Sequence, residues 1–180
     1  MTPTETSLKN FKSDVDQWMA ENVPKNPGFL LPLTFLEVGT EQQLDFLRDW
    51  QHKLWSAGFL GMHWPTQYGG QGSDAAYQGV VDKALTAHNA PIIFNTIGLN
   101  WTGPLLLDVG TEEDRQRYIK NILTGDEIWC QGFSEPDHGS DLGNVQTKAV
   151  RDGDEYIVNG SKIWTTLGNY ADHMILLART

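Results

Sequence analysis

The chain has 180 residues, 39% of them apolar and 11% aromatic, so it can bury a sizeable core and is not disordered by composition. Its formal net charge of -10 argues against nucleic acid as a partner, because binding to a phosphate backbone needs a basic face. The single cysteine, Cys130, excludes a disulfide within the chain, and the lack of a membrane-length apolar run, a signal peptide or an arginine-rich transit peptide predicts a cytoplasmic protein without a membrane span.

The N-terminal part of the chain shows the apolar periodicity of helices. A first helix is predicted over about the first twenty residues, where apolar side chains repeat at helical spacing: Leu8, Phe11, Val15, Trp18 and Met19. Thr40 and Gln43 form a capping-box pattern that begins a second helix, predicted to end near Ala57. Residues 58–72 are rich in glycine, proline and aromatic residues, which indicates a long ordered loop. A third helix is predicted after Ser73, with its inward face formed by Tyr77, Val80, Val81, Ala84 and Leu85.

Two further helical segments precede a change of pattern. Residues 92–109 are almost uncharged before Asp108 and are interrupted by Gly103-Pro104, which predicts a buried pair of helices. Thr111 and Asp114 form another capping pattern, and we expect a charged helix to follow with Tyr118, Ile119 and Ile122 facing inward. Gly125-Asp126 then turns the chain.

From Glu127 onward the pattern becomes that of strands. Apolar and polar residues alternate around residues 145–149, and Asp152-Gly153 is a strong turn signal before the apolar run 156–158. Residues 174–177 form another strand-like run. The sequence therefore predicts an α+β chain, with an all-helical domain at residues 1–125 and the opening strands of a β-domain at residues 126–180.

Two motifs carry the candidate chemistry. Residues 129–141 read as a buried strand that breaks at Glu135-Pro136 into a tight turn, because proline cannot donate to a ladder. Gly139 and Ser140 then offer backbone N–H groups and a hydroxyl to an anion such as a phosphate. Residues 159–166 read as a short strand that presents the flat apolar face of Trp164 beside two threonine hydroxyls. A planar heteroaromatic cofactor with a phosphate tail needs these groups.

These motifs resemble the acyl-CoA dehydrogenase family. The similar sequences are Gly-Phe-Ser-Glu-Pro-x-x-Gly-Ser-Asp at 132–141 and Asn-Gly-x-Lys-x-Trp-Thr-Thr at 159–166, with His-Trp-Pro-x-x-Tyr-Gly-Gly-x-Gly at 63–72 upstream. The resemblance implies an antiparallel, β-barrel-like second domain. It also implies a C-terminal helical bundle, absent from this chain, that carries the catalytic carboxylate and most oligomer contacts. We therefore interpret the chain as incomplete, either a fragment or half of a split protein.

The resemblance implies FAD as the cofactor and assigns residues to it. The implied FAD contacts are Gln131, Phe133, Ser134, Gly139, Ser140, Trp164, Thr165 and Thr166. Positions 131–134 would follow the pyrimidine edge of the flavin, positions 139–140 would hold its pyrophosphate, and Ser140 would also lie near the CoA thioester. Trp164 would cover one face of the ring, and Thr166 would donate to its N5 and O4 side. No catalytic residue and no metal ligand is assigned within the chain.

The implied reaction is the α,β-dehydrogenation of an acyl-CoA thioester, with residues 93–101 forming part of the acyl pocket. An electron-transfer flavoprotein would accept the electrons, and the protein would form a homo- or hetero-oligomer. Two alternatives remain open: a flavin oxidase of the same fold, and a non-catalytic subunit of a heteromeric acyl-CoA dehydrogenase. The amino-acid sequence of the first motif resembles that of bacterial family members that act on branched, dicarboxylic or steroid side-chain thioesters.

Several of these residues also have a purely structural interpretation. Phe133 and Ser134 can simply complete a core strand, Cys130 reads as a small buried hydrophobe, and Asp141 as a cap of the following turn. Lys162 reads as a solvated strand residue, with a cation near phosphates as the alternative. Asp137-His138 departs from the family's small residues; either the pair faces outward, or His138 contacts a phosphate while Asp137 faces solvent. A metal site at His138 lacks recognisable ligand spacing.

Overall fold

A computed structural model describes residues 3–25 and 27–180. The chain forms two compact units, one ending at Glu127 and one running from Ile128 to Thr180. The first contains only helices and loops and the second contains the strands, which confirms the predicted fold class. No helix within the described part of the chain is both long and apolar enough to cross a membrane.

The α-helices of the first unit are α1 (Glu5–Asn22), α2 (Glu41–Ser56), α3 (Ala75–Ala87), α4 (Gly103–Val109) and α5 (Glu112–Thr124). Four of these five helices, all except α4, begin at a residue whose side chain accepts from a free backbone N–H group. The side chains of Thr4, Thr40, Asp74 and Thr111 accept a hydrogen bond from the first turn of α1, α2, α3 and α5 respectively. At α5 the bond is reciprocal, because Asp114 also accepts from the Thr111 N–H. The capping patterns at Thr40 and Thr111 therefore mark true helix starts.

The core of this unit lies between α1, α2 and α3. The buried cluster comprises Val15, Met19, Trp50, Leu54, Phe59, Val81 and Ala84. The Trp50 Nε1–H donates to the Pro91 carbonyl oxygen at 3.0 Å, so the indole also anchors the chain after α3. α1 contributes Val15 and Met19 and α3 contributes Val81 and Ala84, which the helical spacing in the sequence had grouped on one face of each helix. Their burial follows from that periodicity.

Residues 92–109 differ from the predicted buried pair of helices. A π-helical turn, Gly98–Thr102, runs directly into α4, and the Gly103 N–H donates to the carbonyl oxygen of Gly98. Pro104 does not break the helix because it lies at its start, where a missing N–H has no intrahelical partner to lose. Nor is the segment fully buried, since Trp101 is 45% and Val109 is 70% exposed.

Residues 58–72 form the ordered loop that their composition predicts. The loop closes on itself: the Gln71 N–H donates to the Gly61 oxygen at 3.0 Å, and the Gly72 N–H donates to the Trp64 oxygen at 2.9 Å. Gly70 packs directly on this backbone, since a Cβ atom there would lie 2.3 Å from the Trp64 carbonyl oxygen. The motif at 63–72 therefore includes a position at which only glycine fits.

The second unit contains β1 (Trp129–Gly132), β2 (Lys148–Asp152), β3 (Glu155–Asn159) and β4 (His173–Leu176). β2 and β3 form the antiparallel hairpin predicted from Asp152-Gly153, with Gly153 at φ 64°. β1 and β4 pair in parallel, from Trp129 opposite His173 to Gly132 opposite Leu176. The predicted domain was antiparallel, so this parallel pairing was not expected. The β2–β3 hairpin lies between the two strands in the chain, and β4 then runs in the same direction as β1.

Candidate functional site

The first motif follows the predicted course. β1 is buried at Trp129, Cys130 and Gly132, and the chain turns immediately after Ser134. The Glu135 N–H donates to the His138 oxygen at 2.9 Å, and the His138 N–H donates back to the Glu135 oxygen at 3.1 Å. The tight turn at Glu135-Pro136 is therefore confirmed.

The second motif is not the short strand that was predicted. β3 ends at Asn159, and Trp164 has φ 53°, in the left-handed region. A residue in that conformation cannot continue a pleated ladder, which explains why the strand prediction is wrong. The segment is instead held by the end of the first motif, because the Ile163 N–H donates to the Ser134 oxygen at 2.9 Å.

Trp164 is the most unusual residue of this unit. A positive φ is a genuine outlier for a bulky side chain, and the residue is also 80% exposed. Its indole lies beside Gly139, where an added Cβ would be 3.9 Å from the Trp164 Cζ3 atom. The fold therefore brings the predicted ring-covering residue next to the predicted phosphate-binding turn. A strained backbone that presents an exposed indole is a candidate binding feature.

The other predicted site residues differ in exposure. Gln131, Phe133, Ser134, Gly139, Thr165 and Thr166 are half-buried, and Ser140 is exposed. Within residues 3–25 and 27–180, the hydroxyls of Ser134, Thr165 and Thr166 make no hydrogen bond to another protein group. These hydroxyls are thus available to a ligand.

An ion pair between Glu135 and Lys162 joins the two motifs. Lys162 Nζ lies 2.9 Å from Glu135 Oε1, and the two side chains are 8% and 5% exposed. The prediction that Lys162 is a solvated strand residue is therefore wrong, because its charge is buried against a carboxylate. A signal was present in the sequence: Glu135 closely follows a buried strand, and a buried carboxylate needs a cation or several N–H donors.

The carboxylate of Glu135 is held in its ionised form. Hydrogen bonding by Thr147, by the Gln146 backbone N–H and by Lys162 lowers the pKa of Glu135 well below its ordinary value, against the opposing effect of burial. The Thr147 N–H lies 2.8 Å from Oε1 and the Gln146 N–H lies 2.6 Å from Oε2. Both oxygens are therefore occupied by donors.

This depressed pKa predicts acid sensitivity. The stabilisation by Glu135 is complete above its ordinary pKa of 4.5 and is lost as the pH falls from there toward the lower folded-state pKa. We therefore expect Glu135→Gln to destabilise the protein near neutral pH and the difference from wild type to shrink below about pH 4.5. Urea unfolding followed by tryptophan fluorescence between about pH 6 and about pH 3 measures this. Glu155→Gln, on the exposed strand β3, is the control; a Glu135→Gln difference that stays constant over the range would contradict the prediction.

Comparison with known proteins agrees with the motifs. Residues 9–126 match the N-terminal domain of acyl-CoA dehydrogenases, and residues 130–180 match the middle domain of the same proteins. The chain belongs to the acyl-CoA dehydrogenase family. The resemblance seen in the sequence is confirmed, and the acyl-CoA dehydrogenases are oxidoreductases.

Individual acyl-CoA dehydrogenases are similar over the whole chain. IpdE1 of Mycolicibacterium smegmatis is 34% identical over 96% of this chain and 46% of that protein. Among solved structures, the Tcur3481-Tcur3483 steroid ACAD has a TM-score of 0.76 at 34% identity, covering 100% of this chain and 45% of that one. The ChsE4-ChsE5 complex from Mycobacterium tuberculosis has a TM-score of 0.76 at 30% identity, covering 100% of this chain and 43% of that one. This acyl-CoA dehydrogenase chain thus spans about half the length of the relatives it matches.

The helical unit of this acyl-CoA dehydrogenase chain contains a large cavity. Its volume is about 860 Å³, and apolar residues form much of its lining: Leu31, Leu33, Leu85, Pro91, Ile93 and Leu99. Of the segment predicted to shape an acyl pocket, residues 93–101, the cavity also includes Thr96 and Asn100, whereas Trp101 is not part of the lining. A concave apolar site with a few polar groups is typical of small-molecule binding.

Of the remaining candidate residues, Cys130 and Asp141 have local structural roles, and the structure assigns no role to the side chain of Asp137 or His138. Burial raises the pKa of the Cys130 thiol, as expected of a small buried hydrophobe. Asp141 Oδ2 accepts from the Asn144 side chain at 2.6 Å, so it braces the following turn without bonding to a backbone N–H. Asp137 is exposed and His138 is half-buried. Among the described residues, no three His, Cys, Asp or Glu side chains are grouped as metal ligands.

Proposed function

We propose that the protein catalyses the FAD-dependent α,β-dehydrogenation of an acyl-CoA thioester, with this chain supplying one wall of the flavin site. The observation that supports this most directly is Trp164, which is 80% exposed with φ 53° and lies beside Gly139. An exposed indole gains contact area when a planar ring stacks on it. Membership of a flavin-dependent family supports the proposal that this ring is an isoalloxazine.

The residues at this site fit FAD. The indole provides a flat apolar face, and Ser134, Thr165 and Thr166 provide hydroxyls that no other described protein group engages. Gly139 has no side chain to obstruct a phosphate, and Ser140 is exposed beside it. The chain carries a net charge of -10 and therefore offers few cations to a diphosphate. Neutral N–H and O–H donors can hold the diphosphate instead.

Each group of this site has a distinct task in the proposed reaction. FAD, when bound, supplies the acceptor for the hydride that leaves the β-carbon. Trp164 would exclude water from one face of the ring and fix its plane, while Thr166 and Ser134 would donate to its polar edge and so stabilise negative charge there. The carboxylate that removes the α-proton is proposed to lie outside residues 1–180, and an electron-transfer flavoprotein is proposed as the final acceptor.

The cavity of the helical unit supports a bulky acyl group as the substrate. Its volume of about 860 Å³ exceeds what a short straight chain would fill, and nine of its nineteen lining residues are leucine, isoleucine or proline. The similar Tcur3481-Tcur3483 protein is described as a steroid ACAD. We therefore propose that the acyl group is large and apolar, of the steroid side-chain type.

A second candidate is a subunit that supports catalysis without supplying the base. The similar ChsE4-ChsE5 structure is a complex of two different chains, which favours a heteromer here as well. The two candidates differ in one respect: only the catalytic chain carries a carboxylate at the position that receives the α-proton.

The full-length gene product tests the proposal directly. We expect it to purify yellow, alone or with a co-expressed partner chain, and to release close to one FAD per flavin site on heating. Anaerobic addition of a bulky acyl-CoA should bleach the flavin absorbance, and electrons should pass to an artificial acceptor. A protein that takes up no flavin from an excess of FAD, with or without the partner, would refute the proposed function.

A further inference from the structure

The ion pair of Glu135 and Lys162 is placed where it can control the geometry of the flavin wall. Lys162 Nζ donates both to Glu135 Oε1, at 2.9 Å, and to the Phe133 carbonyl oxygen, at 3.0 Å. One ammonium group therefore binds the end of the first motif at two points. Since the lysine side chain is only 8% exposed, water does not compete effectively for these bonds.

The carboxylate ties in a third stretch of chain. Its two oxygens accept the N–H groups of Gln146 and Thr147, which immediately precede β2. Glu135 is thus fixed by donors that come from residues 146–147 and from Lys162 at the same time. A carboxylate with both oxygens engaged has little freedom to move, so it is a rigid point of attachment for Lys162.

Lys162 is separated from Trp164 by a single residue that is also fixed. The Ile163 N–H donates to the Ser134 oxygen at 2.9 Å, so residues 162 and 163 are both attached to the first motif. Trp164 itself is in a strained conformation and mostly exposed, and its own packing holds it weakly. Strain of this kind persists only where surrounding contacts over-determine the backbone.

We propose that Glu135 and Lys162 are positioning residues that hold Trp164, and the threonine hydroxyls after it, in the conformation that receives the flavin. The identity of the ligand rests on the proposed function, whereas the control of Trp164 by the ion pair does not. A purely stabilising role for the pair is the competing explanation, and the experiment separates the two.

Full-length protein labelled with 5-fluorotryptophan reports on Trp164 without any ligand. The resonance of Trp164 is assigned by its loss in Trp164→Phe. The test variants are Lys162→Met, Glu135→Gln and the variant that carries both substitutions. Only the double variant leaves no unpaired charge buried. Lys148→Met and Glu155→Gln are matched controls on the exposed strands of the same unit. For each protein, the fluorine spectrum, the unfolding midpoint in urea and the dissociation constant of FAD are measured.

We expect each single variant to shift or broaden the Trp164 resonance and to raise the dissociation constant of FAD about tenfold, while the controls match wild type. The double variant should recover much of the unfolding midpoint, because a buried pair costs most when one partner is removed. Its Trp164 resonance and FAD affinity should remain altered, because the bond from Lys162 to Phe133 is still missing.

Two results would overturn the inference. One is a double variant that regains the wild-type Trp164 resonance and FAD affinity, since the pair would then serve stability alone. The other is a set of single variants indistinguishable from the controls. Where a single variant does not fold, the double variant provides the same comparison. Wild-type protein that binds no FAD would refute the proposed function, and the fluorine spectra would still decide whether the ion pair positions Trp164.

Discussion

Replacing Trp164 with alanine is expected to raise the dissociation constant of FAD by about 10- to 100-fold, the range found when an aromatic side chain that stacks on a heteroaromatic ring is removed. The residue is 80% exposed, so the substitution removes little packing from the fold itself. The free energy of unfolding of the apo-protein should therefore change little, because alanine also carries a Cβ and meets a similar cost at the positive φ of this position. Titration of apo-protein with FAD, followed by tryptophan and flavin fluorescence, measures the effect.

Tyr156→Ala is the matched control, because Tyr156 is another exposed aromatic residue of the same unit, 55% exposed on β3. It should leave FAD affinity unchanged. Equal losses in the two variants would show that the effect reflects general damage to the unit. An unchanged affinity in Trp164→Ala would remove the indole from the flavin site.

Gly70→Ala is expected to lower the unfolding free energy of the helical unit by about 2–3 kcal/mol. A Cβ at this position would lie 2.3 Å from the Trp64 carbonyl oxygen, and backbone atoms cannot move aside as the end of a side chain can. The loop of residues 58–72 would have to open, which would strain the bonds that Gln71 and Gly72 donate across it. Urea unfolding followed by far-ultraviolet circular dichroism reports on the helices.

Gly79→Ala makes the same chemical change in α3, where a Cβ would meet nothing within 4 Å. There we expect stabilisation of about 0.5–1 kcal/mol, because alanine is the better helix former. Opposite signs for the two substitutions would confirm that contact, and not glycine replacement as such, determines the outcome. A Gly70→Ala protein as stable as wild type would contradict the prediction, because the loop would then accommodate the added Cβ without loss of stability.

The sequence predicts most of what depends on neighbouring residues. The helix starts at Thr40 and Thr111 and the hairpin turn at Asp152-Gly153 are local signals, because each needs a partner only two or three residues away. The left-handed conformation of Trp164 is different. Its local sequence favours a strand, and the contacts that override this preference come from Ser134 and Glu135, far along the chain.

The burial of Lys162 shows the same limit at the candidate site. Its partner Glu135 lies 27 residues away, and nothing in the residues around position 162 distinguishes a buried lysine from a solvated one. The resemblance to acyl-CoA dehydrogenases, by contrast, rests on whole motifs. It therefore locates the candidate site in the sequence without any knowledge of long-range contacts. The individual FAD contacts assigned from it, such as Gln131 and Ser140, stay predictions that ligand binding must test.

The parallel pairing of β1 with β4 has a consequence for the order of folding. The Ile128 N–H, directly before β1, donates to the Asp172 carboxylate across a separation of 44 residues. At a synthesis rate of about 5–20 residues per second, β4 is therefore synthesised about 2–9 s after β1, and β1 has no partner strand during that time. The β2–β3 hairpin needs only adjacent residues and forms within about 10 μs of its emergence. The hairpin is thus complete while the apolar strand of Trp129 and Cys130 is still accessible to chaperones, and closure of the proposed flavin wall is a late, non-local step.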